Sequence, residues 1–220
     1  MSDMLAALTI AAGTLSFDRM PEPVRQSGQC LVRVDAVSLC GTDLHIYHDD
    51  YPTDLPLVQG HEICATVVEA DPGSRLHAGD RVVVDPLVSC GVCPVCRGGH
   101  ANVCPQLSVI GCYSDGGLTE RLVVPDTRLH RVPGGLASEV AALAEPTSIA
   151  LQAVGRAQAR PGDTALVFGC GPIGLLATLG LSDQGVTVVC ADIDPQRAAL
   201  AAGFGADDAL VVGPAFPDAV

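Results

Sequence analysis

Apolar and polar side chains alternate through the first part of the chain. They give way to Ala-rich and Gly-punctuated apolar runs in the last third. Val32 and Val34 alternate with Arg33 and Asp35, which predicts a half-buried strand over Gln29–Val37. Further strands are predicted over Leu5–Ile10, Gly13–Phe17, Ile63–Glu69, Arg81–Asp85 and Leu118–Val124, separated by Pro21, Pro23, Asp71-Pro72-Gly73 and Gly116-Gly117. Short strands punctuated in this way predict a small, partly closed β-barrel. Residues 45–59, with Pro52 and Pro56, read as loop, and Ser138–Gly155 reads as one helix. After Pro161-Gly162-Asp163 the pattern becomes strand (Thr164–Phe168), Gly-rich turn, helix (Pro172–Ser182), strand (Val186–Ala191), helix (Pro195–Phe204) and a short last strand (Ala209–Val212). That alternation predicts a parallel α/β unit.

Composition narrows the chemistry. A chain of 220 residues with 48% hydrophobic side chains has room for a real core. No apolar run approaches the length of a membrane span, so no membrane partner is expected. The first residues lack the basic-then-apolar order of a secretory leader, and the expected location is cytoplasmic. A formal net charge of −13 repels phosphate backbones and argues against nucleic-acid partners. All 12 basic side chains are arginines. Without lysine there is no Schiff-base chemistry, no pyridoxal phosphate anchor and no Walker A lysine.

Ten cysteines without a leader point to metal or redox chemistry rather than a disulfide framework. Cys90, Cys93, Cys96 and Cys104 are close enough in sequence to saturate a tetrahedral zinc with no open position, so this site reads as structural. A redox Cys-x-x-Cys would not need four sulfurs, and the acidic charge argues against a nucleic-acid zinc ribbon. Cys30, Cys64, Cys112, Cys170 and Cys190 lie in apolar surroundings and read as small buried hydrophobes. Cys40-Gly41-Thr42-Asp43-Leu44-His45 and, after a loop, Gly60-His61-Glu62 supply a thiol, an imidazole and a carboxylate. Those three types hold a catalytic zinc while leaving one position open. Asp43 is the expected partner for the second ring nitrogen of His61.

Gly169-Cys170-Gly171-Pro172-Ile173-Gly174 is a G-x-G-x-x-G that directly follows a predicted strand and opens a predicted helix. In that context the glycines let the backbone approach a pyrophosphate at a helix N-terminus. Asp192, at the end of the second strand, is the expected ribose ligand, and its charge favours NAD over NADP. Asp194, before Pro195, reads instead as a helix N-cap.

The order of these blocks resembles the zinc-dependent medium-chain dehydrogenases, in particular the polyol, sugar-acid and threonine dehydrogenase branch. The resemblance implies a mixed β and α/β chain. A GroES-like β-barrel catalytic domain over 1–155, with a structural-zinc lobe over 90–104, would precede the first half of a Rossmann domain over 156–220. It implies zinc at Cys40, His61 and Glu62, a further glutamate at Glu145, and a proton relay through Thr42 and His45. Arg197 falls where the family often has a basic residue near the adenosine ribose. The implied reaction interconverts a secondary alcohol and a ketone with NAD, on a polyol, sugar acid or hydroxy amino acid. The cofactors are then two zinc ions and NAD, and the full-length form is expected to be a homo-oligomer. Family members are longer, so a shortened chain with an exposed sheet edge is expected. The rival function is a catalytically silent zinc-binding fragment with a structural or interaction role. A zinc-free quinone reductase relative is disfavoured by Cys40, His61 and the four-cysteine lobe.

Overall fold

A computed structural model describes residues 3–213. The chain divides into two compact units between Glu145 and Pro146. The division lies earlier than 155/156 because Val154 packs in the core of the second unit.

The first unit opens with a hairpin of β1 (Asp3–Ala11) and β2 (Thr14–Pro21), followed by the long strand β3 (Gln29–Ser38). The short helix α1 (Gly41–Tyr47) comes next, then β4 (Leu57–Val58), β5 (Glu62–Glu69) and β6 (Arg81–Val84). The lobe contains β7 (Leu87–Val88), α2 (Pro94–Arg97) and β8 (Ser108–Val109), after which β9 (Arg121–Pro125) and β10 (Leu129–Arg131) return to the sheet. Five strands form an antiparallel sheet in the order β10-β6-β5-β3-β9, and a second sheet runs β2-β1-β4. Alternate residues of the large sheet, among them Val32, Ile63, Val67, Val82, Val124 and Leu129, are almost wholly buried and make the core.

The second unit is α4 (Ala144–Ala157) from Pro146 onward, then β11 (Thr164–Phe168), α5 (Pro172–Asp183), β12 (Thr187–Asp192), α6 (Pro195–Leu200) and β13 (Asp208–Val211). The strands pair in parallel in the order β11-β12-β13. Val188 and Cys190 of β12 are fully buried against Leu175 and Leu181 of α5.

Three local expectations change. Residues 45–59 are not all loop, since α1 runs to Tyr47 and β4 covers Leu57–Val58. The single helix expected over Ser138–Gly155 is two, α3 (Ser138–Ala142) and α4. Pro146 has no N–H to donate to the carbonyl of Ala142, and its ring crowds that carbonyl, so α3 ends there. The strand expected from Leu118 starts at Arg121, because the amides of Gly116, Gly117 and Leu118 donate instead to the carbonyls of Val58, Gly60 and Gln59 at 2.7–2.9 Å.

Candidate metal centres and dinucleotide cleft

Strand register explains why the distant ligand segments meet. β3 and β5 are antiparallel, with Ser38 opposite Glu62 and Val37 opposite Ile63. Cys40 lies just beyond the end of β3 and His61 just before the start of β5, so both project from the same end of one strand pair. Gly60 adopts φ +95°, and a Cβ there would lie 2.9 Å from Val37 Cγ1. Only glycine allows the turn into His61 at this spacing.

Asp43 locks the arrangement. Its carboxylate is 5% exposed and accepts from the Cys40 amide at 2.8 Å and from the Gly60 amide at 3.2 Å. A single buried carboxylate thereby bridges the two ligand-bearing segments and caps the first turn of α1. Gln59, also buried, donates to the Asp43 carbonyl at 2.9 Å and accepts from the Thr9 hydroxyl at 2.6 Å, tying the loop to β1.

Cys40, His61 and Glu62 offer ligand atoms that all lie within 4.8 Å of one another. Sulfur, nitrogen and oxygen donors converging on one point suit zinc with an open position. His61 Nδ1 lies 3.8 Å from Asp43 Oδ1, longer than a hydrogen bond, and 3.7 Å from the buried sulfur of Cys112. That leaves Nε2 for a metal. Burial and the nearby charges of Asp43 and Cys40 push the Cys112 thiol up to about 12.

Glu145 is half-buried and outside the three-ligand cluster, but it senses the charges of both His61 and Glu62. Burial raises its pKa, His61 lowers it, and Glu62 and Asp85 raise it further. The Thr42 hydroxyl lies 3.8 Å from Cys40 Sγ. His45, one helical turn on, is exposed, and its Nδ1 meets the Asp50 carboxylate at 2.9 Å. Asp50 and Cys112 are the neighbours that sequence reading passed over. Asp50 lies only five residues past His45, just beyond α1, whereas Cys112 arrives by tertiary packing that no spacing rule anticipates.

The four lobe cysteines also gather within 4.8 Å, with Sγ–Sγ separations of 3.5 Å (Cys90–Cys104), 3.9 Å (Cys90–Cys96) and 4.0 Å (Cys93–Cys104). A tetrahedral zinc with ordinary Zn–S bonds requires about 3.8 Å between sulfurs. Amides of Val92 and Cys93 hold the Cys90 thiol down at about 6, whereas burial and the neighbouring sulfurs push Cys96 up to about 11. Four such sulfurs become thiolates together only around a cation.

In the second unit, Gly169, Asp192 and Arg197 line one cleft of about 290 Å³ at the ends of β11 and β12. Asp192 accepts from the Cys170 amide at 2.6 Å and from the Asp194 amide at 2.8 Å, and those amides lower its pKa. Its remaining lone pairs are available to a sugar hydroxyl. Asp194 caps α6 through the amides of Gln196 and Arg197. Gly171 is the N-cap of α5, and the half-exposed Ile173 lies in its first turn. A Cβ on Gly174 would sit 1.8 Å from the Gly169 carbonyl oxygen, so strand and helix approach each other only through glycine.

Residues 26–134 match the family described as Alcohol dehydrogenase GroES-like domain. L-galactonate-5-dehydrogenase of Escherichia coli K12 is 40% identical over 80% of this chain and 52% of its own length. The chain belongs to the zinc-dependent medium-chain dehydrogenases. Within that family, D-altritol 5-dehydrogenase of Agrobacterium fabrum is 38% identical over 94% of this chain and 63% of its own length. An alcohol dehydrogenase from Escherichia coli CFT073 complexed with NADH superposes with a TM-score of 0.92 at 34% identity, covering 100% of this chain and 66% of that one. A zinc-binding dehydrogenase from Sinorhizobium meliloti, 33% identical, was solved bound to NADP. This medium-chain dehydrogenase chain thus spans about half to two thirds of the length of the relatives it matches. It combines a GroES-like unit with a parallel α/β unit of Rossmann type, and none of its described helices is long and apolar enough to cross a membrane.

Proposed function

We propose that this chain carries the zinc centre and the first nucleotide-binding half of an NAD-dependent dehydrogenase that interconverts a secondary alcohol and a ketone. Its substrate class is polyols and sugar acids, ahead of hydroxy amino acids such as threonine. The observation that carries the reading is the convergence of Cys40, His61 and Glu62 within 4.8 Å, beside a separate four-thiol cluster. Names of the similar proteins support the substrate class, since they include a sugar-acid and a polyol 5-dehydrogenase.

Cys40, His61 and Glu62 hold one zinc, and the lobe cysteines hold the other. A zinc held at the first of these sites would supply a Lewis acid that makes the proton of a substrate hydroxyl easier to release near neutral pH. Thr42 accepts that proton, and His45 passes it to Asp50 or to water at the exposed end of α1. Glu145 adds a carboxylate beside His61 and Glu62, placed to orient a water molecule. The turn from Gly169 to Gly174 presents amides to the pyrophosphate, and Asp192 holds the adenosine ribose. NAD would supply the hydride acceptor for oxidation of a secondary alcohol to a ketone, with NADH and one proton as the other products. A 2′-phosphate on the ribose would face the Asp192 carboxylate, which is the basis for NAD; Arg197 at the rim of the cleft moderates that exclusion.

An NADH-formation assay across polyols, sugar acids and threonine tests the reading. Turnover that is strongest on a polyol or sugar acid, and stronger with NAD than with NADP, is the expected result. NADH binding with no turnover on any member of the panel would overturn the reading.

A further inference from the structure

We infer that Cys112 is a positioning residue for the zinc ligand His61, whose ring it holds through an N–H···S contact. The inference rests on the proposed zinc site and goes beyond its ligand set. Three observations carry it. The first is competition for His61 Nδ1: Asp43 Oδ1 lies 3.8 Å away, and both oxygens of that carboxylate already accept from the Cys40 and Gly60 amides. The Cys112 sulfur, at 3.7 Å, is within the normal range for a sulfur acceptor. When Nε2 faces a metal, Nδ1 carries the hydrogen and needs an acceptor.

The second is that the sulfur is fixed. Cys112 is 3% exposed and packs with Ile46 and Leu57. Its amide donates to the Val109 carbonyl at 3.0 Å, and its own carbonyl accepts from the Thr53 hydroxyl. The third is the close approach of its loop to the ligand segment. Cβ atoms added at Gly111 and Gly116 would lie 2.4 Å and 2.2 Å from the Gly60 carbonyl oxygen, so the loop lies directly on the backbone that leads into His61. A thiol sulfur is a weaker acceptor than a carboxylate. It orients the ring while withdrawing less of its hydrogen, and leaves the metal more electron-poor than a full carboxylate partner would.

Cys112→Val keeps an apolar side chain of similar volume and removes the acceptor; Cys112→Ser restores an acceptor with a hydroxyl. Zinc release to a chelating dye is followed for the intact chain and for each variant. The catalytic-site phase is identified by its absence from Cys40→Ser. Valine should speed that phase about tenfold, the scale set by loss of an outer partner of a metal-bound histidine, while serine restores it at least in part and the four-cysteine phase stays fixed. Cobalt substitution gives a second readout, with the ligand-field bands shifted in the valine variant and restored in the serine one. Equal release rates and unchanged cobalt spectra in wild type and Cys112→Val would overturn the inference. Wild-type chain that holds only the four-cysteine zinc would overturn the zinc-site reading itself, a different outcome of the same measurement.

Discussion

Replacing Asp43 by asparagine probes the clamp on which the catalytic centre is built. The carboxylate is 5% exposed and accepts at 2.8 Å and 3.2 Å from amides of the two segments that carry Cys40 and His61. Hydrogen bonds to a charged acceptor are worth about 1.5–3 kcal/mol each. Asparagine keeps the volume and one acceptor oxygen but turns its NH₂ toward the second amide. One bond then becomes neutral, and one buried donor is left without a partner at a cost of about 1–3 kcal/mol. The sum is a loss of about 3 kcal/mol, which for a chain of this size lowers the melting temperature by about 6–12 °C. Thermal unfolding followed by circular dichroism, with zinc content measured on the same samples, gives the answer. The expected variant melts earlier and retains the four-cysteine zinc while losing the other. Melting within about 1 °C of wild type, with both ions retained, would refute the clamp.

Other predictions follow from single contacts. Gly174→Ala drives a Cβ into the Gly169 carbonyl at 1.8 Å, so NADH binding, followed by fluorescence, should be lost while the four-cysteine zinc remains. Asp192→Ser removes the carboxylate proposed to face the ribose and should raise NADP affinity relative to NAD; an unmoved ratio from titration of both nucleotides would show that another group sets the preference. Asp71 accepts from the Gly28 amide, the Arg25 guanidinium and the Ser27 hydroxyl, and these lower its pKa. Its contribution is therefore complete above the unfolded value of about 4 and is lost as pH falls through the lower folded value. Asp71→Asn should melt below wild type at neutral pH, and the gap should close below about pH 4; a gap independent of pH would contradict this.

Much of the architecture can be read from sequence where the signal is local. The strand, glycine turn and helix around Gly169–Gly174 are contiguous, and each element carries its own pattern. The four lobe cysteines sit within one short stretch of chain, so spacing alone suggests their cluster. Helix α1 is harder to read, because seven residues show no apolar stripe and only Asp43 and Ile46 are buried. It is held by a carboxylate bonded to its own N-terminus and to Gly60, and the second contact is invisible in sequence. The split between α3 and α4 was available from Pro146, but the Ala-rich composition around it masks the break. Cys112 looks like any buried cysteine until the fold lays its loop over Gly60 and brings its sulfur to His61. Asp43, expected as a direct partner of His61 Nδ1, lies too far for a hydrogen bond because its oxygens are drawn to backbone amides instead.

The most direct measurement is zinc stoichiometry of the purified chain beside its Cys40→Ser variant, by mass spectrometry of the metal. Two zinc ions per wild-type chain and one in the variant are expected, the survivor being the ion of Cys90, Cys93, Cys96 and Cys104. A single ion in both proteins would mean that Cys40, His61 and Glu62 bind no metal, and the dehydrogenase chemistry assigned to them would have no centre.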